Sequence, residues 1–201
     1  MCIRDRTYGE DPFLLGEMGA ALTRGVQHHN VVATPKHFAA NSMENARFHV
    51  DGEIDERTLR EGYLPHFKRV VQAGVASVMR SYNSLNGEWC GENETLLKRI
   101  LRDEWGFDGF VITDFVFGLR DPVKSVPAGC NVEMPFRQQR AVSLSAALEA
   151  GELSIEDVEE RVVETVATFL RFAAVYERRP QADVIACTAH RRLARESACA
   201  S

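Results

Sequence analysis

Short apolar runs alternate with stretches of helical periodicity along this chain, and that alternation restricts its fold more than any other feature. A bundle would lack the short runs, and a sandwich would lack the helical stretches that parallel strands need as crossovers. The runs that read as strands are Val31-Val32-Ala33-Thr34-Pro35, Val75-Ala76-Ser77-Val78-Met79, Gly109-Phe110-Val111-Ile112-Thr113 and Asn131-Val132-Glu133-Met134. Proline in the first belongs at a strand end or bulge, because it has no N–H for a ladder. Residues 14–28 read as a helix. Residues 55–72 place Leu59, Tyr63, Leu64, Phe67, Val70 and Val71 on one helical face, with Gly74 as the stop. Asn93 is placed to cap a helix carrying Leu96, Leu97, Ile100, Leu101 and Trp105, closed by Gly106. Ser154 with Asp157 opens a last long helix, whose expected inner face is Ile155, Val158, Val162, Val166, Phe169 and Leu170. The architecture read from this pattern is parallel α/β.

Each apolar run turns polar at its carboxyl end: Lys36 and His37, Tyr82 and Asn83, Asp114, Glu133. Parallel strands gather those ends on one face, the mouth of a (β/α)8 barrel or the crevice of a doubly wound sheet. Neither GxGxxG nor GxxxxGK[ST] follows any run, so nucleotide binding is a weak reading. A Lys-His pair donates to hydroxyls, a tyrosine adds a hydroxyl and an aromatic face, and a strand-end aspartate serves as base or nucleophile. That set suits a hydroxyl-rich substrate. Each residue also has a bland role: Asp114 as a turn cap, Lys36 and His37 as surface, Glu133 as structure, and Asn86-Gly87 as a turn. Residues 39–54 form a long polar loop, where functional segments often lie.

With 45% hydrophobic and 26% charged residues, 201 residues can bury a sizeable core. A net charge of -5 gives no pull toward nucleic acid or an anionic membrane. Five scattered cysteines without a CxxC pair argue against a disulfide framework or zinc site, and no metal is expected. No apolar run approaches the roughly 20 residues needed to span a bilayer. Residues 1–6 have neither a signal pattern nor an amphipathic period and read as a non-native leader. Glu177-Arg178-Arg179-Pro180 breaks the long helical stretch, and a new amphipathic helix begins at His190.

Taken together, the segments resemble glycoside hydrolase family 3, the β-glucosidase and β-xylosidase type. The pieces that carry the likeness are Tyr8-Gly9-Glu10-Asp11-Pro12, Ala33-Thr34-Pro35-Lys36-His37-Phe38-Ala39-Ala40-Asn41, Glu44-Asn45-Ala46-Arg47, Asp55-Glu56-Arg57-Thr58-Leu59-Arg60-Glu61, Ser81-Tyr82-Asn83, Asn86-Gly87 and Trp105 through Asp114. The resemblance implies a partial TIM-type (β/α)8 barrel over residues 1–176, truncated at both ends. Residues 177–201 would then be a linker and the first helix of an α/β sandwich domain.

By the same likeness Asp114 is the nucleophile, Lys36 and His37 grip sugar hydroxyls, and Arg47 and Tyr82 add further contacts. The implied reaction is retaining hydrolysis of terminal β-D-glucosyl residues through a covalent glycosyl-aspartate, without a cofactor. Its acid/base carboxyl would come from the second domain, absent from this chain. The chain departs from the family where Phe115-Val116-Phe117 replaces the common Trp-Gly and Asn131 stands in place of Asp. Alternatives are β-xylosidase specificity, a catalytically silent carbohydrate-binding barrel, or an aldolase using Lys36 as a Schiff base. The partner expected is a small-molecule or oligosaccharide β-glycoside, and the compartment stays open between cytoplasmic and exported.

Overall fold

The computed structural model describes residues 7–174 and 182–200. The expected leader and the Glu177-Arg178-Arg179-Pro180 break lie outside the described residues.

Four chain segments run parallel, side by side. Strand β2 (Ser77–Met79) pairs with β5 (Phe110–Ile112), all six residues being buried, as expected of strands covered on both faces. Single parallel bridges extend the row on either side, Phe38 to Arg80 and Val132 to Ile112. Residues 31–35 therefore run along β2 without forming the expected strand. Pro35 offers only its carbonyl, which accepts from the Met79 amide at 3.1 Å, and the next contact is Phe38 N–H to Met79 O at 2.9 Å. Residues 131–134 likewise shorten to one bridge, with the Met134 amide bonded to the Thr113 hydroxyl at 2.9 Å.

Helices flank this row. Helix α1 (Pro12–Gln27) starts at Asp11, whose carboxylate accepts from the Phe13 amide, with Pro12 at the first position, where a missing N–H costs nothing. Residues 56–72 are broken where one continuous helix is expected. A turn α2 (Glu56–Thr58) leads into a π-wound segment (Leu59–Tyr63), and α3 (Pro65–Gln72) restarts at Pro65. Pro65 cannot donate to the preceding turn, and the Leu64 amide reaches back to Leu59 O at 3.0 Å. Helix α1 lies tight on α3 because Gly16 and Gly19 carry no side chain. A Cβ on Gly19 would stand 2.8 Å from Val70.

The helix Thr95–Glu104 is also π-wound and turns Leu96, Leu97, Ile100 and Leu101 inward. Asn93 caps it as expected, accepting from the Leu96 amide at 2.9 Å, and Gly106 ends it in a left-handed conformation. These leucines join Phe38, Leu64, Phe67, Val70, Val78 and Val111 in the main core, each nearly inaccessible to solvent.

Helix α4 (Arg140–Glu149) starts against the Glu133 carboxylate, which accepts from the Gln139 and Arg140 amides at 3.0 and 3.1 Å. Helix α5 (Ile155–Arg171) opens on the expected box: Ser154 Oγ accepts from the Asp157 amide and donates to its carboxylate. Its inward edge differs from the apolar face read in the sequence. Arg161 and Thr168 are buried, whereas Ile155, Val162, Val166, Phe169 and Leu170 are about half exposed or more. The polar edge wins because it meets buried polar partners. Asn131 donates to Glu164 Oε2 at 2.7 Å and to Arg161 O at 2.9 Å, while its Oδ1 accepts from Arg102 and the Val111 amide. Helix α6 (Thr188–Ala200) is exposed throughout. Among the described residues, no helix is long and apolar enough to cross a membrane.

Candidate active site

The carboxyl ends of the parallel segments deliver polar side chains to one place. Asp114 follows β5 by two residues and is 8% exposed. Its Oδ2 lies 3.1 Å from His37 Nε2, and its Oδ1 accepts from the Phe115 amide at 2.7 Å. Tyr82, after β2, donates to the Phe115 carbonyl at 2.6 Å and sits close enough to Asp114 for each to affect the other's titration.

These neighbours decide the charge of the site. Burial alone would raise the Asp114 carboxyl, but the His37 hydrogen bond, the Phe115 amide, the His37 charge and the Tyr82 hydroxyl outweigh it, and the group lies below its ordinary value. Tyr82 moves the other way, pushed up to about 12 by burial and by the Asp114 charge. At neutral pH the pair is a carboxylate beside a neutral phenol. An ionised, buried carboxylate with one oxygen fixed by a backbone amide is suited to attack an electrophilic carbon.

The long loop supplies one wall. Arg47, following a 3-10 turn (Glu44–Ala46), pairs with Glu44 at 3.1 Å, and its guanidinium lies 5.1 Å from the Tyr82 ring and 4.9 Å from Phe48. Phe48 in turn meets Tyr82 and Phe117 edge-on, at 4.7 and 5.6 Å. The far end of the loop is tied into a small sheet. There β1 (Asp51–Gly52) pairs in parallel with β3 (Ser84–Leu85), which forms a hairpin with β4 (Glu88–Trp89). Asn86 and Gly87 both take positive φ in the two-residue turn, as such hairpins require. Asp51 accepts from the Gly87 amide at 3.0 Å, and Asn86 bonds both backbone groups of Ile54.

Of the residues singled out in the sequence, the structure brings His37, Tyr82 and Asp114 into direct association, with Arg47 stacked on Tyr82. Lys36 is exposed next to His37, with no ion pair among the described residues. Asn83 is buried and bonds the carbonyls of Ala39 and Ser84, while Glu133 caps α4, so both serve the scaffold. Sequence reasoning missed Phe48 and Gly118. Gly118 leaves no room beside the nucleophile candidate, for a Cβ there would stand 2.3 Å from the Asp114 carbonyl oxygen. Nothing in the local sequence marks that close approach except the glycine itself. Among the described residues, no group of three or more His, Cys, Asp or Glu side chains could hold a metal ion.

Comparison with known proteins gives a consistent picture. The chain is 46% identical over 153 residues to a beta-glucosidase of Rhizobium radiobacter, covering 75% of this chain and 19% of that protein. It is 40% identical over 204 residues to thermostable beta-glucosidase B of Acetivibrio thermocellus, covering 100% of this chain and 26% of that one. The chain thus spans about a fifth to a quarter of these relatives' length. Beta-glucosidase 3B of Thermotoga neapolitana, solved in complex with glucose, superposes with a TM-score of 0.79 at 40% identity, over 83% of this chain and 25% of that one. The pattern of the Glycosyl hydrolase family 3 N terminal domain, a TIM-barrel-like α/β fold, matches residues 1–168. The chain therefore belongs to glycosyl hydrolase family 3.

Proposed function

We propose that this chain is the catalytic-nucleophile portion of a retaining β-glycosidase of the β-glucosidase type, acting within a longer polypeptide. In this reading residues 35–38, β2, β5 and residues 131–134 are consecutive strands of a (β/α)8 barrel of which residues 1–176 are the C-terminal portion. Residues 177–201 are a linker and the first helix of a second domain. Asp114 attacks the anomeric carbon, the bond to the leaving oxygen breaks, and a carboxylic acid from the rest of the polypeptide protonates that oxygen. Water, activated by the same group, then cleaves the glycosyl-aspartate and restores the Asp114 carboxylate. Two carboxyl groups about 5 Å apart are what this chemistry requires, one ionised and one protonated.

The observation that carries the reading is the Asp114 carboxylate, kept ionised by His37 at the carboxyl end of β5. Lys36, His37, Arg47 and Tyr82 surround the place where a sugar ring would sit, offering donors and an aromatic face for hydroxyl and C–H groups. The glucose in the Thermotoga relative supports a glucosyl ring as the substrate group.

The test is Asp114→Asn in the full-length polypeptide, which keeps the shape and removes the charge. Hydrolysis of a chromogenic aryl β-glucoside should fall by at least about a thousandfold, and a 2-fluoro-glucosyl reagent should label Asp114 in the parent. Undiminished turnover, or labelling at another residue, overturns the assignment.

A further inference from the structure

Glu92 has no role in the chemistry above, yet it is a carboxyl group at 2% exposure that forms no ion pair among the described residues, although the Arg80 charge acts on it. Its Oε1 instead accepts two consecutive backbone amides, Arg120 and Asp121, both at 3.1 Å. Such a pairing fixes the direction of the backbone at residue 120 and with it the aim of the Arg120 side chain. Arg120 leaves that point stacked on the Trp89 ring, 4.5 Å from its centroid, and donates from Nη2 to the Phe48 carbonyl at 2.7 Å. Phe48 is the residue next to Arg47, and its ring is the one wedged between Tyr82 and Phe117.

We propose that Glu92 and Arg120 form a clamp that positions the Arg47–Phe48 segment over the Asp114 site, and so set how tightly substrate is held. This rests on the glycosidase reading above. The small sheet and Ser84 secure the loop from Val50 to Gly52, and the clamp secures it two residues earlier, at Phe48. Among the described residues the ion-pair partner of Arg47 is Glu44, three residues away in the same turn, so that pair does not fix the segment to the rest of the fold. Arg120 and Glu92 are positioning residues, and they act through Phe48 and Arg47 on substrate binding rather than on the reacting bond.

The experiment is steady-state kinetics of the full-length polypeptide on an aryl β-glucoside, with thermal unfolding of each variant. Arg120→Met keeps the stem against Trp89 and loses the donor, so KM should rise about tenfold with kcat within about twofold. Arg120→Lys, which keeps one donor, should recover most of the loss. Glu92→Leu should match Arg120→Met, Glu92→Gln should stay near the parent because its carbonyl still accepts both amides, and the Glu92→Leu/Arg120→Met pair should be no worse than either single change. An unchanged KM in Arg120→Met, a rise only in proportion to lost folded protein, or additive effects in the pair would each overturn the clamp. The Asp114→Asn assay is independent of these variants. If Asp114→Asn is inactive and the clamp variants are silent, the clamp alone is wrong; if Asp114→Asn stays active, the glycosidase reading fails first.

Discussion

His37 Nε2 and Asp114 Oδ2 meet at 3.1 Å across the end of a strand that belongs to neither of them. His37 sits beside Phe38 on one side of β2, Asp114 beyond β5 on the other, and β2 holds both. The contact therefore reports the relative placement of three parallel segments.

Removing that contact should show in both rate and stability. With His37→Ala the Asp114 carboxyl loses its main counterweight to burial, its pKa rises, and the acid limb of the kcat/KM profile moves to higher pH. In the parent the Asp114 pKa is depressed on folding, so its contribution is present above the ordinary carboxylate range and fades as pH falls through the folded pKa. His37→Ala should accordingly cost about 1–3 kcal/mol near neutral pH, with the difference from the parent shrinking in acid. Urea unfolding across a pH series measures it.

Gly118→Ala should be felt at Asp114 before it is felt elsewhere. The added methyl would collide with backbone atoms, at 2.3 Å from the Asp114 carbonyl oxygen and 3.0 Å from its nitrogen, and backbone cannot swing aside as a side chain can. A loss of about 1–3 kcal/mol in stability should accompany a tenfold or greater fall in kcat, about the size that an ångström of misplacement brings. Chromogenic assay and thermal unfolding of the same preparation separate the two.

Asn131→Asp tests the polar edge of α5. The amide of Asn131 donates to Glu164 Oε2 at 2.7 Å, and a carboxylate in its place would set like charges in contact. Arg102, 2.9 Å from both Asn131 Oδ1 and Glu164 Oε1, relieves part of this. Destabilisation of about 1–3 kcal/mol is expected at neutral pH. It should diminish in acid, since burial already raises the Glu164 carboxyl toward protonation.

Leu97→Ala tests the main core. Leu97 has no accessible surface and is carried by a π-wound helix whose side-chain placement differs from that of an α-helix. Truncation should cost about 2–5 kcal/mol by denaturant unfolding, with the residual activity of the folded fraction unchanged.

The parallel arrangement, the helix caps at Asn93 and Ser154 and the gathering of His37, Tyr82 and Asp114 at the strand ends are legible because each depends on neighbours in sequence. Apolar runs announce buried strands, and Asp114 follows one directly. What stayed hidden depends on partners far along the chain. The inward edge of α5 departs from the apolar periodicity because Asn131 and Arg102 make a polar edge the better one to bury, which hydrophobic periodicity cannot register. The break at Leu64 was carried by Pro65, a residue that reads equally well as the first residue of a helix. Arg120 reaches Phe48 across 72 positions, and no local pattern forecasts such a contact.

Pro35 has a consequence for how the molecule breathes. Among the described backbone hydrogen bonds, residues 31–36 contribute one to β2, through the Pro35 carbonyl, whereas β2 and β5 are bonded along their length and buried on both sides. Opening of that short stretch requires far less than global unfolding. Amide exchange at residues 32–34, 36 and 37 should outpace that of Val78 and Val111, and each opening would withdraw His37 from Asp114 while the core stays closed. The lifetime of the His37–Asp114 contact is then set by the loosely bonded Pro35 stretch, not by β2 and β5.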